Sequence, residues 1–343
     1  MKSTQIRLAA RPVGEPRDDD FEFVTTDVPD LEDGQVLLRT VYLSLDPYMR
    51  GRMSAAKSYA KPVEVGDVMV GGTVCEVVES RTPRREAGDL VLAYTGWQTY
   101  AAVDARHTRR LDPSAAPIST ALGVLGMPGF TAYAGLLEIG RPQPGETVVV
   151  AAASGPVGSA VGQIAKVKGA RAVGIAGGPE KCRALVEEFD FDAAVDHRSP
   201  TFEDDLASAT PDGVDVYFEN VAGPVGAAVV RRLNKFARVP VCGLVANYNA
   251  TEAPQGTDHL PGFLNSILTL SLTVRGFIQD EFVPTHQDDF LRDMTQWVAD
   301  GSVRYREDVV EGLDQTLDAF RGLLVGENFG KLLVRVGADP TAT

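Results

Sequence analysis

The residues best suited to chemistry form a glycine-rich turn near the middle of the chain. The apolar run ETVVVAAA leads directly into a turn that contains Gly155, Pro156, Val157 and Gly158, and a helical pattern follows. Glycine lets backbone amides approach a phosphate closely, and the start of a helix supplies N–H donors and a partial positive charge. The turn therefore predicts binding of a dinucleotide pyrophosphate, with a tight strand-to-helix turn that binds nothing as the alternative.

The end of the next strand bears on which nicotinamide nucleotide binds. An NAD-binding sheet usually has an acidic residue there, but this stretch is GIAGG, ending at Gly178, with Lys181 shortly after it. The small residues leave room for a phosphate on the adenosine ribose, and the Lys181 ammonium can pair with it. His197 and Arg198 follow the run AAVD and can help bind the adenosine end. We expect NADPH as the cofactor, although Lys181 could also be an ordinary surface lysine.

The cysteines and histidines do not have the spacing of a metal centre. Cys75, Cys182 and Cys242 are far apart, and the four histidines are scattered without a Cys-x-x-Cys or His-x-x-x-His pair. We therefore expect buried, reduced thiols and no metal site. Oxidation of an alcohol is hard to stabilise without a Lewis acid. Hydride addition to a carbon–carbon double bond conjugated with a carbonyl needs only hydrogen-bond donors for the enolate oxygen.

Two patterns of elements must position these residues. From Val36 to Val103, short β-branched runs alternate with Gly, Pro and Asp, which predicts a small, mainly β, barrel-like domain. After Ala121, strands alternate with helices, which predicts an α/β fold with a doubly wound parallel sheet of the Rossmann type. The periodicity places helices over about 157–168, 180–189, 288–300 and 312–324. The last strand, KLLVRV, could belong to either domain on pattern alone.

Composition limits the classes of function. The 343 residues include 33 basic and 47 acidic ones, and the formal charge of −14 disfavours nucleic acid and anionic membrane surfaces as partners. The N-terminus has no apolar run long enough for a signal peptide, and no later run approaches a membrane span. We expect a soluble, cytoplasmic protein with two domains.

Seven motifs together resemble one branch of the medium-chain dehydrogenase/reductase superfamily. They are LSLDPYMRGRM, GMPGFTAY, AAASGPVG, AGGPEKC, YFENVAG, PVCGLVANYN and GENFGKLLVRV. The branch contains the zinc-independent prostaglandin, alkenal and bacterial curcumin reductases. The resemblance implies NADPH-dependent reduction of α,β-unsaturated ketones or aldehydes, a homodimer, a catalytic domain of residues 1–125 and 305–343, and a Rossmann domain of residues 126–304.

The same resemblance assigns roles to individual residues. Tyr248 and Tyr59 become candidates for catalysis, because a phenol has a pKa of about 10 and can donate a hydrogen bond to an enolate oxygen. A rim or surface tyrosine without a role is the alternative for each. Tyr48 and Arg52 are candidates for substrate binding, whereas Arg50 is interpreted as structural. The further candidates for contact with the cofactor are Met127, Pro128, Asn220, Cys242, Asn249 and Asn328.

Several alternatives stay open at this stage. Tyr217 could be a core residue, and Asn328 could cap the preceding helix rather than contact the cofactor. A quinone reductase of the same superfamily would share the cofactor residues but have a flatter acceptor site. A catalytically silent NADPH-binding protein with a structural or regulatory role is the rival from another class.

Overall fold

The strands and helices are those of a computed structural model, which describes residues 1–252 and 259–342. Within those residues the chain forms fifteen strands: β1 (Lys2–Leu8), β2 (Phe21–Asp27), β3 (Gln35–Ser44), β4 (Thr73–Ser80), β5 (Leu90–Ala93), β6 (Tyr100–Asp104), β7 (Arg109–Arg110), β8 (Thr147–Ala151), β9 (Arg171–Ala176), β10 (Ala193–Asp196), β11 (Val214–Phe218), β12 (Leu233–Val241), β13 (Thr273–Gly276), β14 (Glu307–Glu311) and β15 (Lys331–Arg335).

The same described residues contain nine α-helices: α1 (Tyr48–Arg52), α2 (Met127–Ala134), α3 (Pro156–Val167), α4 (Pro179–Glu187), α5 (Phe202–Ala209), α6 (Gly223–Val230), α7 (Leu260–Leu270), α8 (Val283–Ala299) and α9 (Thr316–Leu324). A π-helical stretch, Gly135–Gly140, continues α2. The predicted helices at 157–168 and 180–189 agree with α3 and α4 to within two residues.

Two predicted helices have different bounds in the structure. The helix predicted at 288–300 begins earlier, at Val283, because Pro284 lies in its first turn, where a missing N–H costs nothing. The helix predicted at 312–324 begins only at Thr316. Gly312 has a φ of 92° and separates strand β14 from a short 3₁₀ turn that precedes α9.

The chain divides into two compact units. The first unit comprises Met1–Leu122, Glu307–Asn328 and Leu332–Thr343, and the second comprises Gly123–Arg306 and Phe329–Lys331. The structure thus has a mainly β part and a doubly wound α/β part, which is the predicted fold class. The predicted domain boundaries, between residues 125 and 126 and between residues 304 and 305, stay a prediction.

The first unit is built on a mostly antiparallel sheet in the order β14-β15-β3-β4-β5-β7, with β6 also paired to β3. Strand β15 pairs antiparallel with β3, so that Leu333 lies opposite Ser44, and the final strand therefore joins this sheet. The buried Trp97 ring packs edge-on against Phe320 of α9, with ring centroids 5.5 Å apart. Both contacts fasten the C-terminal segment to the N-terminal part of the chain.

The second unit contains a six-stranded parallel sheet in the order β10-β9-β8-β11-β12-β13. Its central strands are continuous apolar runs, as expected for a sheet with helices on both faces, and β8 is buried along its whole length. The strand order reverses between β8 and β11, and ligands of open α/β sheets bind at such a switch point, outside the carboxyl ends of the strands.

The thiols differ from the prediction of buried cysteines. All three are free, but only Cys75 is buried, whereas Cys182 and Cys242 are half-buried. Cys182 lies within helix α4, and Cys242 directly follows strand β12. In the part of the chain that the structure describes, no helix is long and apolar enough to cross a membrane.

Candidate functional site

The glycine-rich turn between β8 and α3 has the shape of a phosphate-binding loop. Gly155 caps the start of α3, and a Cβ atom at Gly158 would lie 2.4 Å from the carbonyl oxygen of Ala152. Only glycine permits this close packing of the helix against the turn. Among the described residues, no side chain caps α3, so the first N–H groups of the helix are available to an anion.

The helix behind this turn is fixed by a second close contact. A Cβ atom at Gly162 would lie 2.0 Å from the ring of Phe191, which is buried in the core of the unit. Pro156 at the first turn of α3 has a φ that suits a helix start and has no N–H to lose. The residues present therefore fit the pyrophosphate of a dinucleotide, held mainly by the backbone of Val157 and Gly158.

A positively charged cluster lies where β9 and β10 end. A Cβ atom at Gly177 would lie 2.9 Å from Arg198 Nε and 3.0 Å from His197 Nε2, so both side chains cover the Gly177 backbone. Burial lowers the pKa of His197, and the nearby charges of Arg198 and Lys181 lower it further. Lys181 and Arg198 therefore supply positive charge beside a His197 ring that burial keeps neutral, and a phosphate on the adenosine ribose would require such charge.

Asp196 organises the backbone beneath this cluster. Its Oδ1 accepts hydrogen bonds from the N–H groups of Gly178 and Arg198, both at 2.9 Å. Burial opposes ionisation, but these two donors and the charges of His197 and Arg198 lower the pKa of Asp196. The Asp196 carboxylate thus accepts hydrogen bonds from the protein backbone. The neighbouring cations can therefore bind an added anion.

The carboxyl ends of β11 and β12 form the other half of this edge. Asn220 Nδ2 donates to the carbonyl oxygen of Ala151 at the end of β8, at 2.9 Å. A Cβ atom at Gly243 would lie 3.5 Å from the Tyr248 hydroxyl and 3.2 Å from the Asn220 carbonyl oxygen. Tyr248 therefore directs its hydroxyl at the loops that follow β11 and β12, in the same region as Asn220.

Four other predicted residues belong to the second unit. Cys242 directly follows β12, and burial together with the Glu219 charge raises the pKa of its thiol to about 12, so it stays protonated. Asn249 follows Tyr248 in the same loop. Met127 and Pro128 open helix α2, which packs against α3.

The tyrosines predicted in the first unit share one neighbourhood. Burial strongly raises the pKa of Tyr48, and the charge of Asp46 and the hydroxyls of Tyr94 and Tyr59 add to this effect. The Arg52 guanidinium opposes it, so Arg52 is also nearby. Tyr59 is 62% exposed, and Arg52 Nε is buried without a hydrogen-bond partner among the described residues.

Three residues have surroundings that decide between their alternative interpretations. Arg50 is buried and donates to the carbonyl oxygens of Pro12 and Gly14, which confirms a structural role. Tyr217 is 1% exposed and belongs to the core. Asn328 does not cap the preceding helix, because the C-cap of α9 is Val325.

Comparison with known proteins identifies the family. Residues 4–111 match the family described as the N-terminal domain of oxidoreductase, and residues 156–299 match the family described as zinc-binding dehydrogenase. The chain is 52% identical over 332 residues to the NADPH-dependent curcumin reductase of Escherichia coli strain K12, covering 97% of this chain and 96% of that protein. It is 42% identical to prostaglandin reductase 1 of Oryctolagus cuniculus, covering 93% and 89%.

Among solved structures, CurA of Vibrio vulnificus in complex with NADPH superimposes with a TM-score of 0.94 at 50% identity, covering 98% of this chain and all of that one (100%). The chain belongs to the curcumin and prostaglandin reductase branch of the medium-chain dehydrogenase/reductase superfamily. The recognition from sequence motifs is thereby confirmed.

One domain description of this reductase family names zinc. In residues 1–252 and 259–342, no three His, Cys, Asp or Glu side chains are grouped so that they could hold a metal ion.

Sequence reasoning missed three residues of this reductase. Tyr94 directly follows β5, lies beside Tyr48 and is 69% exposed. Gly243 lies beside the Tyr248 hydroxyl, and Glu219 is buried beneath the loop that carries Asn220. The position of Glu219 directly after the run VDVYF, at the carboxyl end of a parallel strand, was the available signal for its role.

Proposed function

We propose that this protein uses NADPH to reduce the carbon–carbon double bond of α,β-unsaturated ketones or aldehydes, with hydride added to the β-carbon. The observation that carries the proposal is the Tyr248 phenol at the carboxyl edge of a dinucleotide-binding sheet, directed at the backbone of Gly243 and Asn220. The identity of 52% with an NADPH-dependent curcumin reductase supports the same reaction class.

The proposed cofactor residues divide into three groups. Backbone N–H groups at Gly155–Gly158 would hold the pyrophosphate, and Gly178, Lys181, His197 and Arg198 would hold the phosphorylated adenosine ribose. The nicotinamide end would contact Asn220, Cys242, Asn249, Asn328, Met127 and Pro128. When bound, NADPH supplies the hydride.

The protein must stabilise the negative charge that develops on the carbonyl oxygen. A neutral phenol at Tyr248 can donate a hydrogen bond to that oxygen, and such a donor contributes most when it is fixed in advance. Within the first unit, Tyr48, Tyr59 and Arg52 lie near one another and carry hydroxyl and guanidinium donors. We assign Tyr248 and Tyr59 to catalysis, and Tyr48 and Arg52 to substrate binding.

A panel of acceptors tests the function. NADPH absorbance should fall with an alkenal, benzalacetone or a diarylheptanoid enone, and the product should be the saturated carbonyl compound. NADH should react more slowly at the same concentration, because it lacks the phosphate that Lys181 and Arg198 would bind. Turnover of a quinone alone would favour the quinone reductase, and no turnover of any acceptor would favour a silent binding protein.

The assembly we propose is a homodimer formed through the edge of the parallel sheet. Strand β13 is the last strand in the sheet order, and all four of its residues are exposed. The preceding helix α7 has no buried residue and exposes Leu260, Leu264 and Leu268, which lie four residues apart on one stripe. A second copy related by a twofold axis can pair the same strand edge and cover the same leucines.

Charge on this stripe should break the dimer. Leu264→Lys with Leu268→Lys places two like charges at the proposed contact, and we expect at least about tenfold weaker self-association in analytical ultracentrifugation. Val13→Lys, at a valine of the first unit that is 76% exposed, is the matched control and should leave association unchanged. A wild-type monomer, or a dimer that the double substitution does not weaken, would contradict this assembly.

The cell compartment we propose is the cytoplasm. The free thiols at Cys182 and Cys242 are half-buried, and reducing conditions would keep such thiols free.

A further inference from the structure

A buried carboxylate lies beneath the loop that carries Asn220. Glu219 directly follows β11 and is 7% exposed. Its backbone continues the pairing of β11 with β12, because its N–H donates to Pro240 at 3.0 Å and its carbonyl oxygen accepts from Cys242 at 2.9 Å. The side chain is therefore fixed at the carboxyl edge of the sheet rather than on a mobile loop.

The carboxylate holds the turn that follows it. Glu219 Oε1 accepts hydrogen bonds from the N–H groups of Val221 at 2.7 Å and Ala222 at 2.8 Å. Ala222 has a φ of 67°, which residues other than glycine rarely adopt. A strained turn of this kind persists only where the surroundings hold it, and the two bonds to one oxygen provide such a constraint.

Gly226 leaves the space that the carboxylate occupies. A Cβ atom at Gly226 would lie 2.5 Å from Glu219 Oε2. The first turn of α6 thus accommodates the carboxylate only because residue 226 has no side chain. This contact gives a second, independent way to displace the carboxylate without changing Glu219 itself.

The turn held by Glu219 supports the segment before Tyr248. The N–H of Val245 donates to the Asn220 carbonyl oxygen at 3.2 Å, and the N–H of Ala246 donates to the Val221 carbonyl oxygen at 3.0 Å. Residues Val245–Asn247 form the 3₁₀ turn whose C-cap is Tyr248. A chain of hydrogen bonds therefore connects the Glu219 carboxylate to both Asn220 and Tyr248.

We infer that Glu219 is a positioning residue, which fixes Asn220 for the nicotinamide end of the cofactor and Tyr248 for the substrate oxygen. The inference rests on the proposed roles of those two residues. Glu219 acts through the acceptor capacity of Oε1, so a glutamine should replace it, because the amide oxygen can accept the same two N–H groups. An alanine should not.

Two ligands separate positioning from a general loss of structure. We expect Glu219→Ala to weaken NADPH binding about tenfold in calorimetry, while binding of the adenosine bisphosphate fragment, which lacks the nicotinamide, stays within about twofold of wild type. Its kcat for benzalacetone should fall about tenfold or more, because both Asn220 and Tyr248 lose their support. Glu219→Gln should stay within about threefold of wild type in both measurements.

Three further variants complete the test. Gly226→Ala should reproduce the selective loss of NADPH affinity. If Glu219→Ala does not fold, Glu219→Asp replaces it and should show the same loss, because the shorter side chain cannot keep both hydrogen bonds. Glu203→Ala removes an exposed carboxylate of the same unit and should leave the affinity for both ligands unchanged. The inference would be overturned if Glu219→Ala lost affinity for both ligands equally. It would also be overturned if Glu219→Ala kept the wild-type NADPH affinity and kcat. The binding results hold even if wild type reduces no enone, which would count against the proposed function alone.

Discussion

Tyr248→Phe is expected to lower kcat for benzalacetone about 100-fold, because removal of one fixed donor to a developing oxyanion costs roughly that factor. The substitution keeps the ring and removes only the hydroxyl, which lies 3.5 Å from the position of a Cβ at Gly243. The packing of the loop after β12 should therefore persist. The Kd of NADPH should change by no more than about twofold, because the proposed hydrogen bond forms mainly with the substrate oxygen.

Single-turnover measurement of NADPH absorbance separates the chemical step from product release. Tyr100→Phe, which alters a tyrosine of strand β6 in the first unit, is the matched control and should keep the wild-type rate. If Tyr248→Phe reduced benzalacetone at the wild-type rate, Tyr248 would have no part in catalysis. A parallel loss of NADPH affinity would indicate instead that its hydroxyl serves the cofactor.

Alanine at Lys181 or Arg198 should change the preference between the two nicotinamide nucleotides. Each side chain belongs to the cationic group around His197, and a charge-assisted hydrogen bond to phosphate contributes about 1.5–3 kcal/mol, or roughly 10- to 150-fold in affinity. We expect the Kd of NADPH to rise by a factor in that range. The Kd of NADH, which lacks this phosphate, should stay within about twofold of wild type.

The comparison of the two nucleotides is the internal control for this prediction. Arg183→Ala removes an exposed arginine from the same helix, α4, and should affect neither nucleotide beyond the weak general effect of net charge. An equal loss for NADPH and NADH would show that the substituted residue supports the fold of the site. An unchanged Kd of NADPH would remove that residue from the phosphate site.

The local patterns of the second unit were sufficient to predict much of its fold. The run ETVVVAAA, the glycines after it and the helical spacing that follows are short-range signals, and helix α3 agrees with its prediction to within one residue. The same reasoning failed at residues 312–315, where apolar spacing continued across Gly312. Periodicity carries no information about the positive φ there or about the pairing of β14 with β15.

Contacts between distant parts of the sequence explain what could not be predicted. Leu333 pairs with Ser44, and no local pattern could place the last strand in that sheet. Glu219 contacts Ala222 and Gly226, which are close to it in the sequence, but the positive φ of Ala222 that brings them together has no signal in the sequence pattern. The tyrosines gained candidate roles from family resemblance, whereas the glycine turn and Lys181 indicated a phosphate-binding site from chemistry alone.

Isotope transfer tests the central claim of enone reduction most directly. The measurement uses NADPH fully deuterated at the reactive ring carbon, with benzalacetone as the acceptor, and locates the label in the product by NMR. Hydride addition to the double bond predicts saturated benzylacetone with one deuterium at the β-carbon. Deuterium on the carbinol carbon of an unsaturated alcohol would contradict the account, and so would recovery of unreacted benzalacetone.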